Sequence, residues 1–239
     1  MGSRLLAITT IAAVGLLLGP AALAASPPLG TVQVTGSQLK PALLPPSDFG
    51  SHFQASEESD TGGSLEPTAI AQNIPGMSCV NFWGTLGGPF FGETANAFDH
   101  VANTQAILNG ASGTILSYQQ IIYQFPDSRT AASFYGQTYA KYRSCHSFTD
   151  SAEGSANALH MTTKSVSKTH TGRYDAYQVA QSFTTSGLSG PPLHQFTLFT
   201  VDGADVFVFI LTSSSASPPA RPSLATLALR LIGRVAALR

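Results

Sequence analysis

Residues 114–145 read TILSYQQIIYQFPDSRTAASFYGQTYAKYRSC, and this stretch leaves the chain few options. The run Ile115 to Phe125 is rich in Ile, Tyr and Phe, which suit a largely buried strand. Pro126-Asp127 stops it. Asp127 is placed to cap a new helix, because its carboxylate can accept first-turn N–H groups that have no partner inside the helix. Beyond it, Ala131, Tyr135, Tyr139, Tyr142 and Cys145 recur at helical spacing on one face. The pattern predicts a strand feeding a helix that ends on a cysteine. The only other cysteine is Cys79.

What two cysteines do depends on compartment. Met1 to Ala25 has Arg4 as a thin positive start, an apolar run from Leu5 to Leu18, a Gly19-Pro20 break and the small-residue pattern Ala22-Leu23-Ala24. That is the pattern of a secretory signal peptide. Residues 1–25 are therefore expected to be removed, with a mobile leader over 26–34 and one domain over 35–239. An uncleaved anchor is the alternative, although an apolar run of about 14 residues is short for a membrane span. No cysteine stands at the cleavage site, which argues against a lipid anchor there, and Leu6 occupies the place where myristoylation wants Ser or Thr. No later apolar run approaches the length of a transmembrane helix. Two cysteines in an exported chain most simply form one disulfide, with two buried free thiols as the other reading. Cys79 and Cys145 lie 66 positions apart. In the chain-entropy model a loop that long makes the bond worth about 4 kcal/mol. A redox-active pair would favour Cys-x-x-Cys spacing.

The rest of the chain is punctuated by turns. A short helix is expected over Gln38–Leu44, stopped by Pro45-Pro46, then a turn at Ser47-Asp48-Phe49. Ser51–Ser64 is polar and acidic and reads as a surface loop. A short helix or turn around Met77–Trp83 should present Cys79 and Trp83 inward. Gly84–Gly92 is a Gly/Pro loop carrying Phe90 and Phe91. Glu93–Asn109 fits neither period cleanly and leans to strand. Gly110–Gly113 reads as a turn and His146–Ser155 as a polar loop. Strands follow over Asn157–Val166 and Tyr174–Phe183. His194–Val201 and Asp205–Leu211 flank Asp202-Gly203-Ala204, the clearest hairpin signal in the chain. A Ser/Pro-rich linker over Thr212–Pro219 leads to a helix opened by Pro222-Ser223. Its Leu224, Leu227, Ala228, Leu231, Ile232, Val235 and Leu238 share one stripe. Sequential strands with short turns favour antiparallel pairing. The expected fold is α+β: a two-layer, twisted antiparallel sheet with helices packed on one face and one disulfide.

Chemistry is sparse. Net charge is −1 and only 10% of residues are charged, so the basic footprint that nucleic acid requires is missing. The six histidines show no metal-ligand spacing. There is no G-x-S-x-G, P-loop, G-x-G-x-x-G, H-E-x-x-H or EF-hand, and no carboxylate pair suited to glycoside chemistry. No catalytic residue, metal or cofactor is expected. The aromatic residues are the remaining candidates. Tyr118, Tyr123, Tyr135 and Tyr139, with Trp83 and Phe91, either pack the core or line a semi-polar groove for an apolar or sugar-bearing molecule.

Taken with Leu39-Lys40-Pro41-Ala42-Leu43-Leu44-Pro45, Cys79, the block YQFPDSRTAASFYGQTYAKYRSC, the hydrophobic hairpin and the amphipathic last helix, the chain resembles the PknH-like extracellular sensor domain of mycobacteria and their relatives. The resemblance covers roughly Thr35 to Leu238. It implies a twisted antiparallel sheet with helices packed on it and a cleft for an unidentified ligand. The family usually has two disulfides; Cys79–Cys145 would correspond to the one tying the early segment to the helix, and the second pair is missing. Kinase and transmembrane segments are missing too, so signalling would need a partner. The expected function is an exported, cell-envelope, sensor-like domain that binds a small or lipidic ligand without catalysis. A structural or protein-interaction module of the envelope, docking another envelope protein, is the alternative. A hydrolase with a spatially assembled site stands third.

Overall fold

The computed structural model describes residues 36–50, 53, 55–62, 74–85, 99–105, 116–151, 158–186, 191–217 and 222–239. The expected signal segment, the leader, the turn at Gly110–Gly113, Phe90 and Phe91 lie outside the described residues. The strands are β1 (Ala55–Gly62), β2 (Asp99–Gln105), β3 (Leu116–Gln124), β4 (Ser147–Ser151), β5 (Ala158–Thr171), β6 (Tyr174–Thr185), β7 (Leu193–Asp202) and β8 (Asp205–Ser213). They form one 8-stranded sheet in the order β1-β2-β3-β8-β7-β6-β5-β4, and every pairing is antiparallel. The helices are α1 (Gly36–Leu39), α2 (Cys79–Thr85), α3 (Ser128–Ser144) and α4 (Leu224–Ala236). The α+β class, the antiparallel sheet and the disulfide are all as the sequence predicts.

One feature of the expected layering changes. β8 is buried at all 9 of its positions. Alternate residues of a strand point to opposite faces. Phe207, Phe209 and Leu211 pack with Leu227, Leu231, Ile232 and Val235 of α4. Val206, Val208 and Ile210 pack with Ala131, Phe134 and Tyr142 of α3. The helices therefore cover both faces of the sheet rather than one. The uninterrupted apolar run of β8 is the physical reason, since a strand buried on both sides shows no alternation.

Two segments read as loops are edge strands. β1 falls within Ser51–Ser64 and β4 within His146–Ser155. Polar composition suits an edge strand, which has only one neighbour and must discourage a second. β5 runs longer than expected. Its register shifts between Thr163 and Ser165, a β-bulge. The β5–β6 turn holds Gly172 at φ +61°, and the β7–β8 turn holds Gly203 at φ +59°. A side chain is strained at such angles.

Helix α3 starts as its sequence predicts. Asp127 accepts a hydrogen bond from the Thr130 backbone N–H at 2.7 Å. Its buried stripe is Ala131, Phe134, Thr138 and Tyr142, leading to buried Cys145. Tyr135 and Tyr139 flank that stripe, half-buried, so the inward face is rotated from the one expected. Cys145 is bonded to Cys79 with the Cα atoms 5.6 Å apart, which joins α2 to the end of α3. The Thr163 hydroxyl donates to the Cys145 carbonyl at 2.7 Å, and the Lys141 ammonium donates to the Met77 carbonyl.

Helix α4 is capped by Ser223, whose hydroxyl accepts the Thr226 N–H at 3.1 Å. Leu227, Ala228, Leu231, Ile232 and Val235 are buried as predicted, while Leu238, beyond the helix, is exposed. Arg234 donates to the carbonyls of Ala42 and Pro41 at 2.8 and 2.6 Å, and Arg230 pairs with Asp48 at 2.9 Å. The amide of Gln120 on β3 both donates to Leu44 O and accepts from Leu44 N, each at 2.9 Å. These bonds pin the short-helix segment over residues 36–50 between α4 and the sheet.

Candidate functional site

The aromatic residues separate by strand parity and helix stripe. Tyr118 and Tyr123 are an odd number of positions apart on β3, so they face opposite ways. Tyr118 packs with Phe49 and Phe53 on the α4 side, ring centroids 5.2 and 5.3 Å away. Tyr123 packs with Phe134 on the α3 side at 5.5 Å. Trp83 joins Met161 and Phe183 in a third cluster. All three are at most 3% exposed, so they build core and do not line one cleft. Burial lifts the Tyr118 pKa to about 12. It pushes the Tyr123 phenol up further, because each phenolate would form away from water. Phe91 lies outside the described residues.

Tyr135 and Tyr139 remain, and the structure brings them together. One turn apart on α3, both rest on Tyr177 of β6, with centroid distances of 5.0 and 5.3 Å. Tyr177 itself stacks on Phe199 of β7 at 4.6 Å with an interplanar angle of 14°. Its hydroxyl donates to the Thr138 hydroxyl at 2.7 Å. The two exposed-edge tyrosines therefore sit on a fixed aromatic platform.

The facing wall is β5. Lys168 pairs across the ladder with Tyr177, and His170 with Asp175, so all four share the α3 face of the sheet. The Lys168 ammonium stands 5.2 Å from the centre of the Tyr139 ring, and the Arg143 guanidinium, one further turn along α3, stands 5.8 Å from it. His170 Nδ1 lies 3.5 Å from Asp175 Oδ1. Tyr135, Lys168, Thr169, His170, Asp175 and Ala176 line an open groove of about 210 Å³. The Tyr135 pKa rises to about 12, first through burial and then through the negative charges that Asp175 and a Tyr139 phenolate would present. The Tyr135 hydroxyl therefore stays a protonated donor in neutral water.

This arrangement can stack against a ring, donate hydrogen bonds and offer positive charge. It does not gather metal ligands: among the described residues no group of three or more His, Cys, Asp or Glu is placed to hold a metal ion. His170 and Asp175 are exposed at 73% and 76%. His160 Nδ1 meets the Thr149 hydroxyl at 3.0 Å, on an exposed edge.

Sequence reasoning reached Tyr135 and Tyr139 but missed Tyr177, Lys168, His170 and Asp175 as their neighbours. The last four come from one hairpin whose register on α3 no local pattern encodes.

A second groove, of about 180 Å³, lies on the other face between β5–β8 and the start of α4, floored by Ala180, Phe196 and Leu211. None of the sequence-predicted site residues lines it.

Among solved structures, the chain is similar to the extracellular domain of PknH from Mycobacterium tuberculosis. The TM-score is 0.54, with 85% of this chain and 97% of that domain covered at 14% sequence identity. At that identity the likeness is one of fold. No family profile matches the sequence, and no curated protein does.

Proposed function

We propose that this chain is an extracytoplasmic, sensor-like binding domain of the cell envelope, related to the PknH-like family. In this reading it takes a small or lipidic ligand without catalysis at the groove between α3 and β5. One observation carries the reading: Tyr135 and Tyr139, alone among the described candidates, are half-buried, mutually adjacent and held on a rigid platform beside an open groove. A shallow aromatic wall suits recognition better than bond making. The fold likeness supports the sensor-like assignment. The Cys79–Cys145 bond supports an oxidising compartment. No helix among the described residues is long and apolar enough to cross a membrane.

The test is retention. The full chain is incubated with fractionated envelope lipid and sugar extracts, desalted, and inspected by native mass spectrometry. A retained molecule that is lost from Tyr135→Ala and Tyr139→Ala, with the circular dichroism of the fold kept, is the expected result. Retention unchanged in both variants, or no molecule retained at all, overturns the assignment of this groove.

A further inference from the structure

We propose that the groove selects an anionic ligand, one bearing a phosphate group next to a ring or acyl body, through Lys168 of its lining and through Arg143, which stands beside the groove at the neighbouring Tyr139 ring. The proposal rests on the ligand-binding reading above and goes further by naming the ligand class.

The charge distribution points that way. Net charge over the whole chain is −1, with 12 Lys and Arg residues. Half of these cations fall between Arg129 and Arg173, a stretch whose only acidic residues are Asp150 and Glu153. The fold then concentrates two of them. Tyr135, Tyr139 and Arg143 follow one another at four-residue steps along α3, and β5 brings Lys168 to the same ring.

Both cations are available. Among the described residues the carboxylates that meet a basic side chain are Asp175 with His170, Asp48 with Arg230 and Asp205 with Arg239, so neither Lys168 nor Arg143 is committed to a carboxylate. Lys141, close by in sequence, is committed to the Met77 carbonyl and serves structure instead. Asp175, the carboxylate in the groove, faces His170. A cation held on a ring keeps most of its charge for a second partner, and two cations beside one aromatic ring suit a phosphate oxygen set with an adjoining ring or chain. A neutral sugar would use the tyrosine hydroxyls and leave both charges idle.

A phosphate of this kind comes either from a free phosphorylated molecule or from a lipid headgroup. The experiment separates the two. The full chain is titrated with phenyl phosphate, with phenol as the neutral analogue, and with phosphatidylcholine vesicles with and without phosphatidylglycerol. Binding is read by calorimetry and by the amide NMR shifts of Tyr139 and Lys168.

The expected result is saturable binding of phenyl phosphate or of the anionic vesicles. It should weaken about tenfold in Lys168→Met and again in Arg143→Met, and weaken with added salt. Arg129→Met, an exposed cation outside the groove, should leave it unchanged. Binding of phenyl phosphate alone identifies a soluble source; binding of the phosphatidylglycerol vesicles alone identifies a headgroup. If phenol binds as tightly as phenyl phosphate, and through Tyr139 but independently of Lys168 and Arg143, the groove stands and the anion class falls. If no probe moves Tyr139 or Lys168, the anion proposal is overturned, while the extract retention test still decides the groove itself.

Discussion

Asp205 shows what one residue can cost. It opens β8 with its side chain 1% exposed, paired with Arg239. Burial raises its pKa above the ordinary carboxylate value, and the Arg239 guanidinium only partly offsets this. A carboxyl whose folded pKa is raised binds its proton more tightly in the native state than in the unfolded one. Its contribution to stability is therefore complete below the unfolded pKa and is lost as pH rises through the folded one. Arg239→Ala should remove the offset and destabilise the protein at neutral pH by about 2–3 kcal/mol, below the full cost of a buried pair because Arg239 is partly exposed. The loss should shrink as pH falls into the carboxylate range. Asp205→Asn should rescue most of it. Urea unfolding of the single and double variants at two pH values checks this; a loss that is independent of pH would mean that Arg239 acts by packing alone.

Gln181, Gln195 and Thr212 are a different case at the same scale. They are consecutive cross-strand neighbours on β6, β7 and β8 and are nearly fully buried. Gln195 donates to the Thr197 hydroxyl at 3.2 Å, but its own carbonyl oxygen has no partner among the described residues. Such an atom costs about 1–3 kcal/mol. Gln195→Leu, of similar size, should thus leave stability unchanged or raise it by about 1 kcal/mol, whereas Gln195→Glu should lower it clearly. Thermal melts of the two variants decide. The inward side of Gln195 is hidden from pattern reading, because that reading places polar residues outward and only the register shows which way such a strand residue points.

At the scale of elements, the helix α3 carries the fold's clearest sequence signals and also its main misreading. Asp127, the breaking Pro126 and the terminal Cys145 announced where it starts and ends. Helical spacing predicts an inward stripe through Tyr135 and Tyr139. Phe134 and Thr138 take the inward positions instead, and this rotation is what leaves the two tyrosines at the groove. The edge strands β1 and β4 were illegible for a related reason. An edge strand is stabilised by its single neighbour, and its own side chains carry little trace of that. The disulfide belongs to this scale too, since it ties α2 to α3. Cys145→Ser should cost about 4 kcal/mol by loop closure and lower the melting temperature by about 10 °C for a domain of this size. A reductant should reproduce the effect in the native chain. A variant and a reduced protein that both melt with the native one would show that the bond adds nothing beyond the packing of Phe82 on Tyr142, whose centroids are 4.9 Å apart.

For the whole molecule, the hairpin around Asp202-Gly203 and the amphipathic last helix set the α+β class from sequence alone. The layering did not follow, because it depends on which face of β8 each helix selects, and a strand that is apolar throughout offers both. The sheet order has a further consequence. β1–β2–β3 is one meander and β4 to β8 is another, and they meet only where β3 pairs with β8. Leu116 opposite Ser213 and Gln124 opposite Asp205 mark the two ends of that seam. The first three strands therefore have no edge to join until β8 has been made. Loop closure of that span must come before the contacts that repay it, which makes assembly slow and non-local. A nascent chain that has reached only Asp202 lacks the strand that joins its two meanders. Completion of the sheet therefore waits for β8, and until then the rings that α3 lays on Tyr123 and Tyr177 are what can hold the meanders near one another.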